Sequence, residues 1–102
     1  LVANITYSEG ELVTLLQSRD TFAFNYLYDH YSSALYGVIF PIVNEAEAAN
    51  DVLQEVFLNI WRKIESYDPA RGRLFTWMLN IARNASIDVL RSKSFQNSRK
   101  NQ

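Results

Sequence analysis

Cysteine is missing altogether, which rules out a disulfide framework and a thiolate metal site and leaves stability to packing. Such a chain suits a reducing cytoplasm. His30 is the one histidine, and without a cysteine, a second histidine or clustered carboxylates near it no metal site can be completed, so it is read as structural. The longest apolar run, Leu35 to Val43, has nine residues and contains Pro41, far short of the roughly 20 needed to cross a bilayer. No membrane insertion is expected. No nucleophile and base, phosphate-cradling glycine loop or metal cluster can be drawn from these residues, so the chain is expected to be no enzyme and to need no cofactor. It opens on Leu1, with neither a methionine nor a basic-then-apolar leader, and is read as a piece of a longer protein.

What the chain does have is enough apolar material, 48% of 102 residues, for one domain with one core. Its net charge of minus one conceals an asymmetry. Residues 1–61 carry eight acids (Glu9, Glu11, Asp20, Asp29, Glu45, Glu47, Asp51, Glu55) against Arg19 alone, a net charge of minus seven. Residues 62–102 carry nine basic residues against Glu65, Asp68 and Asp88, a net charge of plus six. Opposite signs suggest a polyanionic partner for the second part and a basic or polar one for the first, although helix faces can also differ in charge without functional meaning.

Three glycines and two prolines, with apolar residues recurring at three and four, predict an all-α domain. The first helix is short: Ser8 and Glu11 form a capping box, Leu12, Val13, Leu15 and Leu16 give it an apolar side, and it ends near Ser18 or Arg19. Asp20 caps a second helix with Phe24, Leu27, Tyr28, Tyr31, Leu35 and Ile39 inward, which Pro41 should kink or end. Asn44 is the expected N-cap of the third helix, where Ala49, Val52, Leu53, Val56, Phe57, Ile60, Trp61 and Ile64 make a continuous seam. The opposite stripe, Asp51, Gln54, Glu55, Leu58 and Arg62, is left facing something else. A loop from Glu65 to Arg73, marked by Asp68-Pro69 and Gly72, precedes a fourth helix from Leu74 to about Ser92. Its inward residues are read as Leu74, Met78, Ile81, Ala82, Ala85, Val89 and Leu90, with Asn80, Arg83, Asn84, Ile87 and Arg91 outward or at the rim. The expected organisation is thus a leader and short helix over 1–19, a domain of three long helices over 20–93, and a disordered tail or linker over 94–102.

Phe24, Leu27-Tyr28 and Tyr31, then Asp51 through Phe57 (DVLQEVF), then Trp77 through Asn84 (WMLNIARN) and Asp88 through Arg91 together resemble region two of extracytoplasmic-function sigma factors. The likeness spans roughly Asp20 to Lys93, and the ordered series with a DPxxG loop between its parts is far more specific than any single element. It implies the helical sigma region-two fold, docking on the clamp of the largest subunit of core RNA polymerase, and recognition of the promoter minus-ten element as an opened strand. An anti-sigma partner is expected because the family commonly has one. The minus-thirty-five-reading domain of the family lies outside these residues.

The resemblance places polymerase binding on Asp51, Gln54 and Glu55, with Leu58 and Arg62 on the same stripe. A docking helix presents acids and amides to basic and polar residues opposite, with Leu58 as an apolar contact amid them. By spacing alone the stripe is equally an ordinary solvated face with one stray leucine. The resemblance assigns the loop to gripping a flipped base and the fourth helix to minus-ten bases and backbone. The residues suited to that work are Tyr67 and Trp77 for stacking, Asn80 and Asn84 for base edges, and Arg71, Arg73, Arg83, Arg91 and Lys93 for phosphates. Trp77, one position from inward Met78, reads more readily as a core or hinge aromatic, and Arg83 and Asp88 also suit surface electrostatics. A competing reading is a sigma-like module that binds polymerase or an anti-sigma factor without promoter DNA. A helix-turn-helix reader of duplex is disfavoured by the nine-residue loop, too long for a tight turn.

Overall fold

Residues 6–100 are described in a computed structural model of the chain, with side chains as far as Lys93. Four helices follow in order: α1 (Glu9–Gln17), α2 (Thr21–Val43), α3 (Ala46–Lys63) and α4 (Leu74–Lys100), with two 3₁₀ turns, Ile64–Ser66 and Pro69–Arg71, between the last two. The all-α class, with three long helices and a short leading one, is as expected from the sequence.

The third helix holds the arrangement together. Ala49, Val52, Leu53, Val56, Phe57 and Ile60 are buried along one side of it, each of the larger ones stabilising by about 1.5–3 kcal/mol. One edge of this seam meets α2 through aromatic edges, Phe24 to Phe57 at 6.1 Å and Phe24 to Trp61 at 5.0 Å between ring centroids. The other edge meets α4, where Leu74, Met78 and Ala82 are buried. α2 and α4 run parallel: Tyr31, midway along α2, stacks on Phe75 at the start of α4 at 5.8 Å, and Lys93 farther along α4 reaches Glu45, just past the end of α2, at 3.7 Å. α1 lies across the loop end of this bundle and buries Leu12, Val13 and Leu16. Its start carries the expected capping box, with Ser8 and Glu11 exchanging backbone-to-side-chain bonds at 3.0 and 3.2 Å.

Several local expectations are corrected. Asn44 does not cap α3. It adopts the left-handed conformation, φ 57°, and its N–H donates to the Phe40 carbonyl at 2.7 Å, ending α2 two residues after Pro41. Asparagine tolerates that conformation better than most residues; the N-cap position of α3 falls to Glu45, which makes no side-chain capping bond. Tyr28, read as inward, is 40% exposed, its ring resting on Phe57 at 4.7 Å. Val89 and Leu90, also read as inward, are 37% and 44% exposed. The cause is geometric for Val89, which lies beside Val52 and Ala85 in an open groove between α3 and α4 that no side chain fills. The helix continues to Lys100, through most of the stretch from residue 94 that was expected as a disordered tail or the start of a linker. Residues 1–5 and 101–102 of the expected leader and tail lie outside the described residues.

Ser86 is the one polar residue fully inside the core among the described residues, and its hydroxyl donates to the Ala82 carbonyl one turn back at 2.7 Å. That bond competes only with the helix's own ladder. In urea titrations, Ser86→Ala should change stability by less than about 0.5 kcal/mol. Leu27→Ala, which empties a fully buried site on α2, should cost about 2–5 kcal/mol.

Candidate nucleic-acid interface

The α3–α4 connection is short of regular structure yet well tied. Asp68 accepts from the Ala70 N–H at 2.9 Å and starts the second 3₁₀ turn behind Pro69. Gly72 then takes φ 159°, ψ 174°, a conformation that side chains rarely adopt. The Tyr67 hydroxyl donates to the Gly72 carbonyl at 2.6 Å and closes the loop on itself.

Between this loop and the first turns of α4 lies a cleft of about 220 Å³ lined by Ser66, Tyr67, Asp68, Arg71, Gly72, Arg73, Thr76, Trp77 and Asn80. Its inventory is an indole wall, short polar groups able to donate and accept, and two guanidinium groups at the mouth. Such a cleft can take a flat ring, bond its polar edge and neutralise an attached anion.

Five of the residues expected on the DNA side come together here: Tyr67, Arg71, Arg73, Trp77 and Asn80. Their roles are not equal. Tyr67 is corrected as an open stacking platform, for it is only 5% exposed, its hydroxyl is engaged, and its ring lies behind Trp77 at 5.3 Å. Burial, and secondarily the charge of Glu9, hold its phenol above the ordinary value of 10.0. Trp77 is half-buried, so one ring is both core aromatic and cleft wall. Arg73 is already paired, its Nε donating to Glu9 Oε1 at 3.0 Å, while Glu9 Oε2 accepts from the Leu74 N–H at 3.3 Å. Arg71 is less constrained, its side chain 89% exposed and 4.0 Å from Asp68.

Farther along α4, Arg83, Asn84 and Arg91 are exposed. Asn84 and Arg91 follow Asn80 on nearly the same face, four and eleven positions on. Lys93 does not join them. Thirteen positions from Asn80 it lies about 140° around the helix, where it pairs with Glu45 at 3.7 Å. Ser66, Asp68 and Thr76 line the cleft and Glu9 supports it; of these, only Asp68 had a local sequence signal, its place before Pro69.

On α3, Asp51, Gln54, Glu55, Leu58 and Arg62 are all exposed, Leu58 by 48%. Arg62 lies 3.6 Å from Glu55. Asp51 and Glu55 also edge a groove between α3 and α4 whose floor is Val52, Ala85 and Val89, with Asp88 on the far bank. Among the described residues no helix is long and apolar enough to cross a membrane, and no group of three or more potential metal ligands occurs. His30 is exposed and lies against Tyr26, ring centroids 4.0 Å apart.

Comparison with known proteins gives a consistent set of likenesses. The family model for sigma-70 region 2 matches residues 27–96. The ECF RNA polymerase sigma factor SigK of Mycobacterium sp. (strain KMS) is 30% identical over 89 residues, covering 87% of this chain and 46% of that protein. SigK of Mycobacterium tuberculosis (strain ATCC 25618 / H37Rv) is 28% identical over 88 residues, covering 86% and 47%. The chain therefore spans about half the length of these curated relatives. An engineered region 2 of sigmaE, solved by NMR in complex with GTAAAA, superposes with a TM-score of 0.78 at 26% identity, covering 94% of this chain and 97% of that one.

Tyr67 offers a direct check on the loop. Because its phenol is raised in the folded chain, the stability it contributes is whole below pH 10.0 and is lost as pH climbs through the raised value. Absorbance titration should show a late component, ionising above the ordinary tyrosine value of 10.0. Tyr67→Phe should delete that late component, flatten the alkaline loss of stability and cost about 1 kcal/mol at neutral pH.

Proposed function

The chain belongs to the sigma-70 region 2 family, and from that premise we propose that it docks core RNA polymerase through α3 and holds the promoter minus-ten element as an opened strand against the loop and α4. The whole protein is then an extracytoplasmic-function sigma factor, a cytoplasmic initiation factor and no enzyme, with its region-two domain over residues 20–93.

The observation that carries the reading is the cleft. An extruded base needs an aromatic wall, edge-bonding groups and cations for its phosphate, and Trp77, Asn80 and Arg71 supply these around one space. Asn84 and Arg91 extend the same face for neighbouring nucleotides, while Arg83 sits to one side for backbone. The hexanucleotide bound by the engineered sigmaE region 2 supports a strand of similar length here. Such a site should favour one strand over a duplex, since a stacked and paired base cannot enter a cleft.

Polymerase docking rests on the α3 ridge. Asp51, Gln54, Glu55 and Arg62 surround half-exposed Leu58, the pattern of an apolar anchor inside a polar rim. Its acidic character fits the clamp only if the opposing surface is basic and polar. A second reading, a module that binds protein alone, is favoured by the groove edged by Asp51, Glu55 and Asp88 with an apolar floor; this fits an anti-sigma segment as readily as polymerase.

Two experiments separate these readings. At equal salt, single-stranded non-template oligonucleotide should bind better than the same sequence as duplex, with a slope of log affinity on log salt near about minus three if about four phosphates are contacted. Replacing Asn80 and Asn84 together by Ala should relax base preference more than it lowers affinity. Stronger duplex binding would refute the DNA reading, and a flat salt response would leave the protein-binding module. In a pull-down of core polymerase, Asp51→Lys with Glu55→Lys should abolish capture while leaving helical circular dichroism unchanged, both residues being exposed. Undiminished capture would take the ridge out of the interface.

A further inference from the structure

The cleft is built by the α3–α4 connection and the start of α4, yet two of its lining residues are held from α1, Arg73 by Glu9 and Tyr67 by Gln17. Gln17 is the link. Its side-chain amide donates both hydrogens across the α3–α4 connection, to the Ile64 carbonyl at 3.1 Å and to the Tyr67 carbonyl at 3.0 Å. These two carbonyls bracket the first 3₁₀ turn, Ile64–Ser66. Tyr67 in turn fixes the rest: its hydroxyl holds the Gly72 carbonyl and its ring backs Trp77. A pull on one neutral amide is thereby passed to both walls of the cleft.

Gln17 does not act alone, but it is the separable member of the set. Arg19, held in the left-handed conformation at φ 66°, bonds the Trp61 carbonyl and pairs with Glu65 at 3.2 Å. Glu9 grips Arg73 and the first N–H of α4. Both are charged, and altering either would also change the field felt by a nucleic acid. Gln17 carries no charge and does not line the cleft.

We propose that Gln17 is a positioning residue for base capture: its amide holds the Ile64 and Tyr67 carbonyls so that the cleft is already shaped for a base before a strand arrives. Preorganisation of this kind lowers the ordering cost of binding and falls on the captured base, not on the strand as a whole. The inference rests on the reading of the cleft as a base site, and it adds a residue in α1, before the matched family segment, to the determinants of that site.

The test uses the full chain and a pool of random single-stranded decamers, followed by abasic substitution at each position of the best enriched strand. In the unsubstituted chain one position should show an abasic penalty of about tenfold, the size of one base stacked on an aromatic wall. Gln17→Met keeps the length and removes the donor; it should lose most of that penalty while the penalties elsewhere and the salt slope stay the same. Gln17→Lys restores a donor and should restore the penalty, which is a ratio of intact to abasic strand in the same variant, so that the added charge cancels. A purely structural glutamine would shift the melting temperature of every variant and leave the abasic profile alone. The proposal is overturned if Gln17→Met keeps the single large penalty, if its loss is uniform along the strand, if it has lost helical circular dichroism, or if Gln17→Lys fails to rescue. An unsubstituted chain that enriches no strand overturns the base-site reading itself, and this one with it, whereas failure confined to the variants strikes only the role of Gln17.

Discussion

The burial of one side of α3 between α2 and α4 is the constraint from which the other features follow. Val56 and Ile60 have no exposed surface, and a helix fixed at that seam can turn neither its acids inward nor its apolar residues outward without losing several kcal/mol for each large side chain displaced. The opposite stripe, from Asp51 to Arg62, is therefore held outward as a rigid ridge. α4, packed on the other edge of the same seam through Met78 and Ala82, must present Asn80, Asn84 and Arg91 away from it. Two surfaces of different chemistry thus arise from one packing decision. Neither needs a rearrangement of the core to become available.

Their separation has a mechanistic consequence. On the proposed reading the chain grips an enzyme and an opened strand together, which one face could not do, and the acidic residues cluster on the helix that lacks the cleft. The loop between α3 and α4 is the place where the two meet. It is short of regular hydrogen bonding within itself, and compensates with bonds from side chains: Asp68 to Ala70, Tyr67 to Gly72, and the contacts that arrive from α1. Among the described residues no buried side-chain nitrogen or oxygen is left without a partner, so the side chains that tie the loop strand none of their own polar atoms. A loop tied in this way keeps a defined hollow without being part of the core.

Much of this was legible in the sequence because periodicity is a local property. The seam of α3 and the stripe opposite it follow from spacing alone, and the capping box at Ser8 and Glu11 from residue type and a separation of three. The end of α4 was not legible in the same way, since Val89 continues an apolar pattern into an open groove that no side chain fills, and partners are a property of the other helices. Asn44 illustrates a different ambiguity. An asparagine between two helices can cap the next or finish the last, and the 2.7 Å bond to Phe40 settles it for the last. Tyr67 was visible as a loop aromatic, but whether a ring supports a wall or forms one depends on depth. Glu9 and Gln17 carried no signal of any kind, because their partners lie 64 and 47 residues away.

The account stands or falls on the division of the surface by the α3 seam, and amide chemical-shift mapping of the isotopically labelled chain during titration with its enriched single strand tests it most directly. Shifts should concentrate at residues 66–84 and fade toward Arg91, with the α3 ridge from Asp51 to Arg62 unmoved. Shifts centred on that ridge, with the loop and Trp77 unaffected, would contradict it.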